Sequence, residues 1–325
     1  VSGASGAGIC VCLGPLFNGF SSGVRGMSLR VNGFDLPPAA ANAPLRRLLQ
    51  SAAKSPLPSS HTEPNYYWDL AFWGLDRVRL FQEATPEEQH RIWVIANQDL
   101  LEEIYWVEQG GVGYMAKMSL LAETIEERLL YGLFAADEAT HLTQIQRFLL
   151  SPPVFQGDHF LAFMGELLES SDKALLMTLV QVVLEGWGLS HYRYLAQNCL
   201  SPDLKVTLQG FLAAESRHHA AGVLGLQQWP YRPDSLDRIY EALSHFLQMV
   251  QLGPQRLLRA IAQGKGDLSR PEKIQILEEL QTEVHSQKRL DILRNLMTGN
   301  VPPAILQKLD DQGSFKPYSA VQCVP

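Results

Sequence analysis

From Thr62 onward, apolar positions recur at three- and four-residue intervals, and the two-residue alternation of half-buried strands is absent. Gly and Pro cluster at only a few points, so the stretches between them read as helices. The first opens at Thr85-Pro86-Glu87-Glu88, with Thr85 as N-cap, Pro86 at the first helical position and Glu88 closing a capping box. Thr124 and Glu127 repeat the box spacing at a second start, and that helix stops at Ser151-Pro152-Pro153. A third helix is predicted over roughly Ser171 to Asn198. Ser201-Pro202-Asp203 breaks the chain and starts a fourth, which runs to about Leu226 and ends at Trp229-Pro230. Further helices are expected around Ser235–Gln251, around Pro271–Met297 and near Leu306, followed by a loose tail from Asp310. Short links join the first helix to the second and the third to the fourth. The pattern therefore predicts an all-α fold, a four-helix bundle at about 86–226 with additional C-terminal helices at about 235–300.

Composition narrows this picture. The chain has 325 residues, 46% hydrophobic and 19% charged, which suffices for a substantial core. A net charge of -7 argues against a nucleic-acid backbone as partner, which would favour a basic patch. Residues 1–60 read as a low-complexity leader, with one short helix near Leu45–Ala53. Its first 26 residues are rich in Gly and Ser, carry Arg25 as their one charge, and lack the basic start and unbroken apolar run of a signal peptide. Cys10, Cys12, Cys199 and Cys323 form no paired metal motif and are expected as reduced thiols. No uninterrupted apolar run reaches the ~18 residues of a membrane span. The expectation is a single helical domain at 61–300, a loose tail at 301–325 and a cytoplasmic location.

The chemistry enters through a repeated phrase. Ala-Ala-Asp-Glu-Ala-Thr-His at 135–141 and Ala-Ala-Glu-Ser-Arg-His at 213–218 both hold Glu-x-x-His. Positions i and i+3 share a helix face, so Glu138 with His141, and Glu215 with His218, can each reach one ion. Glu103 and Glu138 have their midpoint at 120.5, inside a turn expected at 119–123, which makes them level on antiparallel neighbours. Glu185 and Glu215 are level in the same way about a turn at 199–203. The set is then Glu103, Glu138, His141, Glu185, Glu215 and His218, with Glu102 and Glu108 competing for the first place. A third match, Glu87 to His90, belongs to a helix's first turn, where acids are favoured anyway. Four carboxylates buried without a cation would cost several kcal/mol each. Mixed carboxylate and imidazole ligation suits two iron ions, or manganese, or one of each, better than structural zinc. Asp137 is placed to accept the outer N–H of His218, whereas Ala214 gives His141 no such partner. Trp106, Tyr131, Phe134, Trp187 and Tyr192 are candidate pocket walls. Gly186 and Gly188, flanking Trp187, are candidates for making room beside the ions.

These residues resemble the ferritin-like di-iron carboxylate oxygenases and oxidases. In spacing they are closest to the p-aminobenzoate N-oxygenase-like group, written as a Glu, about thirty residues, then Asp-Glu-x-x-His, with a similar second half. Thirty-three residues separate Glu103 from Asp137, and 29 separate Glu185 from Glu215. The resemblance covers roughly 86–226. It implies a ferritin-like bundle and an O2-dependent oxidoreductase acting on a small or lipid-like organic substrate. It also implies an external electron donor, a reductase or ferredoxin-like protein, and a homodimer as the assembly to test. The arylamine N-oxygenases carry a further His four residues before the last Glu, where this chain has Phe211. The ribonucleotide reductase small subunit has a radical Tyr where this chain has Ile145. Some aldehyde-deformylating oxygenases place a Tyr at the spacing of Tyr192. The competing class is a ferritin-like ferroxidase or iron and manganese store, which the extra helices fit less well.

Overall fold

The computed structural model describes residues 43–53, 66–151, 153, 158–228 and 231–324. Most of the leader, with Cys10, Cys12 and His61, lies outside the described residues. The fold is all-α, and no strand occurs among the described residues. In chain order the helices are α1 Ala43–Ala53, α2 Leu70–Trp73, α3 Arg79–Gln82, α4 Pro86–Leu121, α5 Ile125–Ile145, α6 His159–Glu169, α7 residues 173–198, α8 Pro202–Gln228, α9 Pro233–Gln251, α10 Gln255–Lys265, α11 Arg270–Glu279, α12 Thr282–Met297 and α13 Pro303–Asp311.

Local chemistry explains the boundaries. Thr85 Oγ1 accepts from Glu88 N–H at 3.3 Å, and the Glu88 carboxylate accepts from Thr85 N–H at 2.8 Å, so the box that starts α4 is closed. At α5 only half of it forms. Thr124 accepts from Glu127 N–H, but the Glu127 carboxylate accepts from Glu123 N–H at 2.8 Å and pairs with Lys173 at 2.6 Å. The acid is drawn one residue back and ties the start of α5 to the start of α7.

Four helices are additional to those read from the pattern, the single-turn α2 and α3 and the longer α6 and α10. Helix α6 is capped by Asp158, which accepts from Phe160 and Leu161 N–H, and its near-continuous apolar sequence hides its period. Helix α10 lies against α4, and Gly264 comes so close to Ile92 that a Cβ there would meet the Ile92 backbone N at 3.3 Å. The segment expected as one helix from Pro271 to Met297 breaks at Gln281, whose φ of 52° is left-handed. The segment expected as a loose tail is packed instead. Phe315, Ala320, Cys323 and Val324 are buried, and Gln251 Nε2 donates to the carbonyls of Gly313 and Lys316.

Helices α4 and α5 pack on one another, α7 packs on α8, and α5 joins the pairs by packing on α8. Helix α7 has the length and apolar composition of a membrane-crossing segment, but 61% of its most apolar window is buried in this fold. Residues Met177–Leu184 of α7 form a π-helix whose eight side chains are all buried. Gly222 of α8 lets Gln181 in this segment approach, since a Cβ at 222 would meet the Gln181 backbone carbonyl carbon at 3.4 Å. Glu185 follows the π-helix directly, so the widened turns set where its carboxylate points.

Candidate metal centre

The inner faces of α4, α5, α7 and α8 bring carboxylates and imidazoles together. Two groups of ligand atoms form, each within 4.8 Å of one another: Glu108, Glu138, His141 and Glu215, and Glu138, Glu185, Glu215 and His218. Glu138 and Glu215 belong to both. Five of the six expected residues are therefore assembled here, and the sixth place is taken by Glu108. Glu103 instead meets Arg256 of α10 at 3.2 Å, and Glu102 is likewise outside both groups. The reason is the turn. Helix α4 continues to Leu121 and α5 begins at Ile125, so the turn is centred on 123, which is also the midpoint of Glu108 and Glu138. The expected turn lay about two residues too early, and the level residue moved by five.

The contacts define the register. His141 Nδ1 lies 3.0 Å from Glu108 Oε2 and 3.5 Å from Glu215 Oε1. His218 Nδ1 lies 3.1 Å from Glu138 Oε1 and 3.5 Å from Glu215 Oε2. Both imidazoles thus turn Nδ1 inward, and the pairings run in opposite directions along α5 and α8. His218 Nε2 faces Asp137 Oδ2 at 3.4 Å, and Asp137 also accepts from Arg217 at 2.9 Å. Among the described residues no side chain hydrogen-bonds His141 Nε2. The asymmetry read from Asp137 and Ala214 is present in the geometry.

Burial and charge pull these groups in opposite directions. Burial raises the pKa of Glu138, and the neighbouring carboxylates Glu215 and Glu108 raise it further. Burial raises Glu185 as well. Glu215 is held down at about 2: burial would raise it, but the imidazoles of His141 and His218, each 3.5 Å from its carboxylate, outweigh that. Burial would lower His141, yet Glu108 and Glu215 lift it to about 10. His218 is raised against burial by Glu215, Glu185 and Asp137. The side chains by themselves are thus crowded with charge that burial penalises. Two buried atoms go without a hydrogen bond, Glu185 Oε2 and His218 Nδ1; the 3.1 Å approach of the latter to Glu138 lacks hydrogen-bond alignment. Orphaned ligand atoms inside a ring of acids fit a cation that all of them face.

Supporting residues hold the cluster. The Tyr192 hydroxyl donates to Glu108 Oε1. Phe211 stacks on the His141 ring with centroids 4.1 Å apart. Phe134 lies 4.3 Å from the His218 ring. Gln181 Oε1 accepts from both Tyr114 at 2.9 Å and Tyr131 at 2.7 Å, while its Nε2 donates to the His218 carbonyl at 3.0 Å. Of the five expected pocket walls, Phe134 and Tyr192 touch the cluster and Tyr131 acts through Gln181. Trp187 stacks on His191 at 5.7 Å, and Trp106 packs at the edge of the core. Gly186 does not make room beside the ions; a Cβ there would meet His219 at 2.9 Å and Leu296 at 3.0 Å, so it serves close helix packing. Gly188 is open, with nothing within 4 Å of a Cβ.

Gln181, Tyr114 and Gly111 were not visible as site residues. A signal existed for Gly111: a glycine pair inside a long helix costs ~1 kcal/mol per residue relative to Ala, which marks close approach. Comparison of the chain with protein-family models, curated proteins and solved structures finds no match.

Proposed function

We propose that this protein is an O2-dependent oxidoreductase built on a ferritin-like four-helix bundle, α4, α5, α7 and α8, with a Glu4His2 centre for two iron or manganese ions. The observation that carries this reading is the sharing of Glu138 and Glu215 between two four-residue ligand groups. Shared carboxylates are what a pair of ions requires, and a glutamate from each of two helices plus Glu-x-x-His from each of the others is the di-metal pattern of such bundles. Redox-active ions bound there would supply the electron-transfer chemistry that protein side chains lack.

The protein's own part is positioning. Glu138 and Glu215, common to both groups, would serve both ions, with Glu108 and His141 completing one ligand set and Glu185 and His218 the other. Asp137 holds the outer proton of His218 and fixes its tautomer. Tyr192 fixes the Glu108 carboxylate, and Gln181 fixes the α8 backbone at His218. Phe134 and Phe211 keep water from the imidazoles and strengthen every charge interaction inside. Electrons come from an external reductase or ferredoxin-like donor, and the substrate is organic.

Anaerobic Fe(II) loading followed by elemental analysis tests the centre, with about two ions per chain expected. Aerobic turnover of the loaded protein with amines, fatty acids and aldehydes, followed by mass spectrometry, tests the activity. A stoichiometry near zero, or one zinc that resists chelation, would sink the di-metal reading. Iron uptake into a mineral core without substrate oxidation would favour storage instead.

A further inference from the structure

The inner face of α7 is sealed on either side of the cluster and open beside it. Every side chain of the π-helix that precedes Glu185 is buried, and so are Tyr192, Leu195 and Ala196, which carry the face onward. Between them Glu185, Gly188 and Leu189 stand at i, i+3 and i+4 on one face of the helix, and all three are partly exposed. Of the six cluster residues Glu185 alone is reached by water; the other five are buried. Gly188 has open space where a side chain would stand, with nothing within 4 Å of a Cβ. Leu189, an aliphatic side chain one turn from Glu185, packs on none of the three apolar clusters formed by the described residues.

Two glycines show which helices flank the opening. Gly186, on one flank of Glu185, meets His219 of α8, so Gly188, on the other flank, is turned toward α4. Gly111, on one flank of Glu108, meets Glu138 of α5, so Tyr105, three residues before Glu108 on the other flank, is turned toward α7. Tyr105 is partly exposed and packs on the same apolar cluster as Tyr192. Helices α4 and α7 are not among the closely packed pairs, and the Tyr192 hydroxyl crosses from one to the other to reach Glu108. The opening is a cleft between α4 and α7. Tyr105, Gly188 and Leu189 line it, Tyr192 closes one end, and Glu185 stands at its inner limit with Oε2 turned inside and unpaired.

We propose that the substrate enters through this cleft, and that Gly188 and Leu189 determine what fits: an unbranched, uncharged aliphatic chain, drawn end-on toward Glu185. As a statement about substrate it rests on the oxidoreductase reading. The absent side chain of Gly188 leaves the width of a chain rather than of a fused ring. Leu189 and the Tyr105 ring offer apolar wall that the core does not use. None of the lining side chains is cationic, so an anionic head would be stripped of water without a partner.

Calorimetry of 1-octanol and of octanoate on the metal-free full chain tests the cleft without iron. Octanol is expected to bind, and octanoate at least ~10-fold more weakly. Gly188→Leu fills the open space and should weaken octanol at least ~10-fold, with helix content and melting temperature at or above the wild type. Leu189→Trp blocks the cleft from a side chain the core does not hold, and should weaken octanol likewise. Whether the cleft leads to the cluster is read on Fe(II)-loaded protein from the rate of nitric oxide binding, followed by absorbance. Saturating octanol should slow that rate several-fold at unchanged iron content. No octanol binding, equal affinity for octanoate, octanol affinity kept in both variants, or nitric oxide binding at full rate in octanol-saturated protein overturns the proposal. Iron content measured on the same samples separates the two readings. Octanol binding that both variants weaken, in a protein that takes up no iron, supports the cleft and overturns the oxidoreductase.

Discussion

Gly111 on α4 faces the Glu138 carboxylate on α5 so closely that a Cβ at position 111 would overlap its Oε2 and crowd its Cγ at 3.2 Å. The glycine lies three residues after Glu108, on the same face, and its missing side chain is the space one shared carboxylate occupies. Gly111→Ala therefore sets two effects against each other. Alanine favours the helix by ~1 kcal/mol over glycine. The methyl also displaces the carboxylate that both ligand groups use. We expect unchanged helix content by circular dichroism, a metal-free melting temperature equal to or above the wild type, and Fe(II) affinity reduced at least ~10-fold. Wild-type affinity in this variant would mean that Glu138 is not a ligand.

Glu108 and Glu103 are both glutamates on α4, and a substitution in each separates their roles. Glu108→Gln removes a charge that faces His141 Nδ1 and accepts from Tyr192. The ion held by Glu108 and His141 should be lost, so stoichiometry falls from about two toward one. Glu103→Gln should leave stoichiometry unchanged and instead destabilise the fold, because Arg256 loses a partner at 3.2 Å in a part-buried network. Elemental analysis and thermal melts of both variants read this out. The reverse pattern would place the α4 ligand at Glu103.

These two residues also show what the sequence could carry. Caps, breaks and the Glu-x-x-His faces depend on local chemistry, so Thr85, Pro86, Glu138 and His218 could be placed by spacing alone. The level residue on α4 depends on where the next turn falls. The Thr124 box signals where α5 begins, but nothing within α4 marks its end at Leu121, and a two-residue error in the turn exchanges Glu108 for Glu103. The π-helix of α7 leaves no period to read, since Met177–Leu184 is buried on every side. Gln181 and Thr178 stand there as the two polar residues of an apolar run, and only the packed fold shows that Tyr114, Tyr131 and the His218 carbonyl converge on Gln181.

Asp137 acts on one of the two histidines, so its removal should be felt by one ion. Asp137→Asn keeps the side-chain shape, and its amide oxygen can still accept from His218 Nε2, now 3.4 Å from the carboxylate. The negative charge that raises the basicity of the ligand is gone. Affinity at the step involving His218 should fall ~10 to 100-fold while the other step is unchanged. Arg217 shares the carboxylate at 2.9 Å, so Arg217→Gln serves as the control; it frees Asp137 for His218 and should not weaken that step. Two Fe(II) binding steps unaltered in Asp137→Asn would make Asp137 a partner of Arg217 alone.

The charges within the cluster predict how pH acts on the metal-free protein. His141 is lifted from its ordinary 6.5 to about 10 when folded, so the protonated ring contributes stability that is full below 6.5 and lost as pH rises through 10. Glu138 and Glu185 are raised as well; they bind protons more tightly folded than unfolded, and their effect has the same sign above 4.5. Glu215, held at about 2, works the other way: its contribution is present above 4.5 and lost as pH falls toward 2. Metal-free protein should therefore melt highest at mildly acidic pH and lose several degrees between pH 6.5 and 10, at ~2–4 °C per kcal/mol for a domain of this size or less. A bound cation replaces the protons, so loading should release them, and affinity should rise with pH. Melts of metal-free and Mn(II)-loaded samples across pH 5 to 10 measure both effects, with the gap between the curves widening toward alkaline pH. Parallel curves would show that the ions do not bind at these six side chains.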